Sequence, residues 1–252
     1  MKISIIKVSV SLTSYELAAE QVLRWAKVHE SRYICVANVH VLMEALDSPD
    51  YMSVVNSSDI VTPDGMPLVW MLRLKGFPGQ QRVYGPTLML HVLEAAVREN
   101  TPVGFYGSSP EVLQSLLARM KARFPNLKIA YSFSPPYREI SQAEDAEIVK
   151  HINASSARIL FVGLGCPKQE KWMAEHRGKV NAVMLGVGAA FDFHAGLKPQ
   201  APQWMQKIGL EWFYRLVTEP RRLWWRYLYH NPRFVFLAIM DLFGFYGKNN
   251  HA

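Results

Sequence analysis

Short apolar, β-branched runs alternate with stretches of helical periodicity along the first two hundred residues. Residues 3–10, 32–37, 59–62, 102–106, 127–132, 158–162 and 180–187 read as strands. Residues 15–28, 39–46, 87–99, 110–124 and 142–153 read as helices. The segment 110–124 shows why. Val112, Leu113, Leu116, Leu117, Met120 and Phe124 fall on one stripe, with Pro110 in the first turn after Ser108 and Ser109. Continuous apolar strands with helices between them predict an α/β fold, a parallel sheet covered on both faces.

Ligands of such sheets sit outside the carboxyl ends of the strands. That rule gives weight to the polar residues that follow each strand. They are Asn38 and His40, Pro63-Asp64-Gly65, Gly107-Ser108-Ser109, residues 163–169 and residues 186–192. The periodic strands stop near Ala201 and Pro202, which predicts a core over 1–200 and a helical segment over 201–252. There is no internal repeat and no low-complexity linker.

Composition narrows the picture. The 252 residues hold 28 Lys+Arg against 21 Asp+Glu, yet only 19% are charged. Two cysteines, Cys35 and Cys166, cannot build a disulfide scaffold or a four-cysteine zinc site, which fits a reducing compartment. Residues 1–10 carry too short an apolar run for a signal peptide. No apolar stretch reaches the roughly 18 residues of a membrane span, and the best, 234–245, is broken by Asp241. The charge is uneven. From residue 201 onward, Lys207, Arg215, Arg221, Arg222, Arg226, Arg233 and Lys248 face three acids, Glu211, Glu219 and Asp241. The same stretch holds four of the seven tryptophans.

Each candidate chemistry has an ordinary structural alternative. Asp64, in T-P-D-G, is either a general base facing a cleft or a turn aspartate before glycine. Residues 163–170, G-L-G-C-P-K-Q-E, follow a strand and open a helix whose free amides could cradle a phosphate or a sugar oxygen. Lys168 stands where a dinucleotide fingerprint needs its pattern to continue, so G-x-G-x-x-G is absent. Residues 186–192 fail the same pattern, and Asp192 is either a ligand or a structural acceptor. No D-x-D triplet occurs, so a bound diphosphate would be neutralised by arginines or helix N-termini. The eight histidines show no zinc spacing, and neither G-x-S-x-G nor a Walker loop is present. Arg215, Arg222 and Arg226 fall at spacings of 7 and 4, near one helical face, interleaved with Trp and Tyr. That stripe suits a membrane interface, a diphosphate, a nucleic acid or a plain core.

These segments together resemble the WecG/TagA/CpsF family of bacterial glycosyltransferases (family twenty-six). The resemblance is carried by N-V-H at 38–40, T-P-D-G at 62–65, R-V-Y-G at 82–85, V-G-L-G-C-P-K-Q-E at 162–170, G-V-G-A-A-F-D at 186–192, G-L-E-W-F-Y-R at 209–215 and E-P-R-R at 219–222. It implies a Rossmann-like core with a C-terminal appendage that docks on membranes and closes over the donor. It implies an inverting transfer of a sugar from a UDP-sugar to a polyprenyl-diphosphate-linked saccharide, peripherally bound at the cytoplasmic face of the inner membrane. Asp64 would be the base. Asn38, Arg82 and Gln169 would contact donor or acceptor, and Arg215, Arg221, Arg222 and Arg226 the donor diphosphate or the anionic surface. His40, Gly107, Gly163, Lys168 and Asp192 complete the expected substrate-binding set. No metal or other cofactor is expected.

One departure stands out. Residues 132–138, S-F-S-P-P-Y-R, replace the G-Y-F segment of many members and resemble a subgroup of exopolysaccharide assembly that includes glucosyl-transferring enzymes. Position 37 is Ala where some members carry a hydroxyl. The runner-up reading is a membrane-associated nucleotide-binding module without catalysis. A nucleic-acid partner rests on the pI of about 9.4 alone and is not expected. A homo-oligomer is compatible with all of this.

Overall fold

The computed structural model describes residues 1–246; Lys248 of the basic tail lies outside them. The chain opens on an antiparallel hairpin, β1 (Lys2–Ile5) and β2 (Val8–Ser11). The sequence pattern had predicted one strand over 3–10. The turn residues Ile6 and Lys7 adopt φ of 46° and 68°. Hairpin turns of this kind usually announce themselves with Asn or Gly, and here neither is present.

The remaining strands are β3 (Arg32–Ala37), β4 (Ile60–Pro63), β5 (Val103–Gly107), β6 (Ile129–Phe133), β7 (Ile159–Gly163) and β8 (Val183–Gly186). They form one parallel sheet in the order β4-β3-β8-β7-β5-β6. The α/β class expected from the pattern is therefore what the chain adopts. Between and after the strands run α1 (Tyr15–Lys27), α2 (Val39–Asp47), α3 (Pro49–Asn56), α4 (Met66–Leu74), α5 (Gly85–Arg98), α6 (Pro110–Arg123), α7 (Gln142–Ala154), α8 (Lys168–Glu175) and α9 (Ala190–His194). The tail supplies α10 (Gln203–Lys207), α11 (Glu211–Thr218) and α12 (Pro220–Leu242).

Alternation along the strands builds two cores, one per face. Tyr33, Cys35 and Ala37 of β3 join a cluster with α2, α3, α4, α7 and α8. Ile34 and Val36 point the other way, into a cluster with α1, α5, α6 and α9. Local chemistry sets several helix starts. Ser14, Asn38, Ser48, Ser109 and Ser141 each accept a backbone N–H of the turn they cap. Helix α4 was not predicted, because M-P-L-V-W-M-L-R-L is apolar nearly throughout and shows no period. Leu68, Val69 and Leu72 bury one side of it, while Trp70 and Leu74 remain exposed.

The tail packs back onto the core. Helix α12 lies on α2, and Phe234 and Ala238 belong to the α2/α4 core cluster. Near its end, the buried Asp241 accepts the Ile6 N–H at 3.0 Å and pairs with Lys75 Nζ at 2.9 Å. Among the described residues no helix is long and apolar enough to cross a membrane.

Candidate active site

Four adjacent strands, β4, β3, β8 and β7, deliver their carboxyl ends to one crevice, and α11 and α12 roof it. Asp64 follows β4 and is only 9% exposed. Its Oδ1 accepts the Gly85 N–H at 3.2 Å, and Arg82 Nη2 lies 3.6 Å away. Arg82 also donates from Nε to the Asp64 carbonyl and lies over the Tyr84 ring at 4.1 Å. Its outer nitrogen, Nη2, is held at 2.6 Å by Glu211 of α11. Burial pushes the Asp64 carboxyl above the usual carboxylate range; Arg82 opposes this and Glu211 adds to it. A carboxylate whose proton affinity is raised in a cleft has the property a general base requires.

Asn38 follows β3 and caps α2, its Oδ1 accepting the N–H groups of His40 and Val41 at 3.0 and 3.3 Å. Burial, then the charges of Arg226, His230 and Arg215, push the His40 imidazole down to about 3. It is therefore neutral at any working pH. After β7, Gln169 is buried; its Oε1 accepts the Gly165 N–H at 3.1 Å and its Nε2 donates to Glu170 at 2.8 Å. Glu170 is fully buried, and burial raises its carboxyl too. A Cβ on Gly186 would meet Met173 Cε at 2.6 Å and the Gln169 amide nitrogen at 3.1 Å, so a larger residue there would displace both side chains.

Two cavities share this crevice. One, of about 310 Å³, is polar. It is lined by Gly163, Gly165, Gln169, Gly188, Asp192 and Arg222, among others. The other, of about 470 Å³, is apolar and runs between α4 and α12. Asn38, His40, Asp64, Glu211, Arg215 and Arg226 border both. Arg226 is mostly buried, which lowers its proton affinity, and among the described residues no carboxylate pairs with it. Arg222 and Arg215 lean on Glu219 at 2.5 and 3.9 Å, and Lys198 bridges Asp192 and Glu219 at 3.4 and 3.6 Å. The crevice thus holds a buried carboxyl group and three guanidinium groups around one polar space.

The expected set is placed unevenly. Asp64, Asn38, His40, Arg82, Gly163, Gln169, Asp192, Arg215, Arg222 and Arg226 line one cavity or both. Gly107, Lys168 and Arg221 line neither. Gly107 ends β5, beyond the four strands that open on the crevice. With φ at 120°, it lets β5 approach β7 where a Cβ would lie 2.6 Å from the Gly163 carbonyl carbon. Lys168 is exposed over the Tyr137 ring, and Arg221 points to solvent. Residues 132–138 also lie outside both linings. Pattern reading did not single out Glu211 or Glu170 as site residues. Glu211 precedes Arg215 by one helical turn, which was the available signal.

Among the described residues, His40, Glu44 and His230 bring donor atoms within 4.8 Å of one another. The sequence spacing hid this group because His230 arrives on α12. The Glu44 carboxylate stands 3.6 Å from each imidazole, beyond hydrogen-bonding range. Arg226 and Arg215 add positive potential beside it, which opposes a cation there.

The sequence matches the Glycosyl transferase WecG/TagA/CpsF family over residues 3–247. The chain belongs to this family. It is 34% identical over 208 residues to the N-acetylglucosaminyldiphosphoundecaprenol N-acetyl-beta-D-mannosaminyltransferase of Bacillus spizizenii (strain ATCC 23059 / NRRL B-14472 / W23), covering 82% of this chain and 78% of the relative. The Bacillus subtilis (strain 168) protein with the same description is 31% identical over 210 residues, 82% of this chain and 79% of that protein. In this WecG/TagA/CpsF glycosyltransferase, Asp64 of P-D-G and Arg215 of G-L-E-W-F-Y-R share one crevice, although they lie 151 positions apart in the sequence.

Proposed function

We propose that the chain transfers a sugar from a UDP-sugar to a polyprenyl-diphosphate-linked saccharide, with inversion, at a membrane surface. The observation that carries this reading is the meeting of a polar and an apolar cavity at Asp64. The polar cavity offers Arg222 and the helix opening after β7 to a nucleotide diphosphate, with Arg215 and Arg226 on the border it shares with the apolar cavity. Asp64 takes the proton of the acceptor hydroxyl as its oxygen forms a bond to the anomeric carbon. The bond from that carbon to the diphosphate oxygen breaks on the opposite face, and its electron pair leaves on UDP. The guanidinium groups stabilise that developing charge, so the reaction needs no metal. The two Bacillus relatives are named as N-acetyl-beta-D-mannosaminyltransferases, and a β-linked product is the inverted outcome for an α-linked nucleotide sugar.

Membrane contact rests on the tail. Trp204, Trp224, Trp225, Phe236 and Phe243 are each more than half exposed, and the Arg221 side chain is exposed beside them. Aromatic rings with arginines at one surface suit the headgroup layer of an anionic bilayer. The test is a screen of UDP-glucose, UDP-N-acetylmannosamine and UDP-uronic acids against an N-acetylglucosaminyl-diphosphate lipid, read by product mass, with and without EDTA. Binding of UDP without transfer from any donor would leave a nucleotide-binding module instead.

A further inference from the structure

We infer that the apolar cavity between α4 and α12 seats the first isoprene units of the acceptor's lipid, with the acceptor diphosphate at its inner end. This rests on the glycosyltransferase reading and adds the place and direction of the lipid. One wall is Met66, Trp70, Met71 and Leu74, a single face of α4. The other is Phe234, Val235, Ala238, Ile239 and Leu242, at the 1-4-5-8 spacing of one stripe on α12. No charged side chain of α4 or of the α12 turns 234–242 enters this lining.

The two ends of the cavity differ. At the inner end stand Asp64, Arg215 and Arg226. At the outer end Trp70, Leu74, Val235, Ile239 and Leu242 are 42–68% exposed, so the space opens outward. That opening continues into the exposed Phe243 and Phe245 at the end of the tail. A guest matching both ends has an anionic head and an apolar tail. A peptide helix or a second copy of the chain would offer single carboxylates to the two inner guanidinium groups, where a diphosphate offers two linked anionic groups. From Phe234 to Leu242 the helix rises about 12 Å, enough for the start of a polyprenyl chain and far short of the whole. The remainder stays in the bilayer on which the tail docks. Asp64 then meets a saccharide whose distance from the membrane is set by the diphosphate.

The experiment uses the full chain in detergent micelles and two acceptors with the same N-acetylglucosaminyl-diphosphate head, one farnesylated and one methyl-capped. Burying the chain in the cavity should raise kcat/KM for the farnesyl compound by about tenfold or more over the methyl one. Ile239→Glu and Leu74→Glu should abolish that preference through KM. Leu17→Glu, at an exposed apolar position of α1 outside the cavity and the tail, should keep it. In parallel, a farnesyl diphosphate bearing a benzophenone on its chain should label α4 or α12, mapped by mass spectrometry. Transfer with equal efficiency to both acceptors, or labelling confined elsewhere, overturns the inference and leaves the transferase reading standing. Labelling on α4 or α12 without transfer from any donor supports the groove and overturns the transferase reading.

Discussion

Glu211 of α11 holds Arg82 at 2.6 Å, and Arg82 in turn stands 3.6 Å from Asp64. The tail therefore reaches the candidate base through one intermediary charge. The arrangement makes the proton affinity of Asp64 depend on whether the tail is seated, because Glu211 raises it and Arg82 lowers it.

The pH profile should report this. With Asp64 as base, kcat/KM rises with pH through a carboxyl displaced upward from its ordinary range. Glu211→Gln removes a negative neighbour and should move that limb to lower pH. Arg82→Met removes the opposing positive charge and should move it to higher pH. His40, held near 3, cannot produce a limb close to the ordinary histidine value. A limb unmoved by both substitutions would assign it to another group.

Asp64→Asn should cut transfer by about 10²–10⁴-fold, the usual contribution of a positioned base. The same substitution should stabilise the fold at neutral pH. A carboxyl whose folded pKa is raised costs stability as pH climbs from its unfolded to its folded value. The gain in melting temperature should vanish below about pH 4, where the group is protonated in both states. Near-normal turnover, or a loss of stability at pH 7, would contradict this assignment.

The Lys75–Asp241 pair, with its Ile6 N–H, fastens the end of α12. Asp241→Ala strands a mostly buried ammonium and a backbone donor. The cost should be about 3 kcal/mol, or a fall in Tm of about 6–12 °C for a chain of this size. A Lys75→Met, Asp241→Leu double variant should lose less than Asp241→Ala alone. Calorimetry on the three proteins decides it.

Replacing Trp224 and Trp225 with serine should weaken binding to anionic vesicles by about tenfold or more, since each loses a large side chain to bury. Co-sedimentation reads this. Circular dichroism should be unchanged, because both rings are exposed. Undiminished binding would move the contact surface elsewhere.

Strands β3, β5 and β7 were legible because their residues are apolar on both faces and end at polar or glycine residues. The hairpin was not, since Ile6 and Lys7 carry no turn signal despite positive φ. Helix α4 was invisible for the opposite reason: one side packs on the core and the other lines a cavity, so no polar face marks its period. In the site, Asn38 and Asp64 were found from their place after strands. Gly107 met the same rule, yet β5 lies beyond the strands that open on the crevice. Glu211 escaped because its partner is 129 residues away. Long-range pairing of this kind leaves no local pattern.

Asp241 binds the N–H of Ile6, so nearly the last described helix residue is tied to nearly the first turn. Protein synthesis delivers these two partners 235 residues apart. The hairpin, α2 and α4 emerge before α12, and their apolar surfaces stay uncovered until α12 follows. Until then the growing chain carries an uncovered apolar flank, the kind of surface that makes incompletely folded species prone to misassembly.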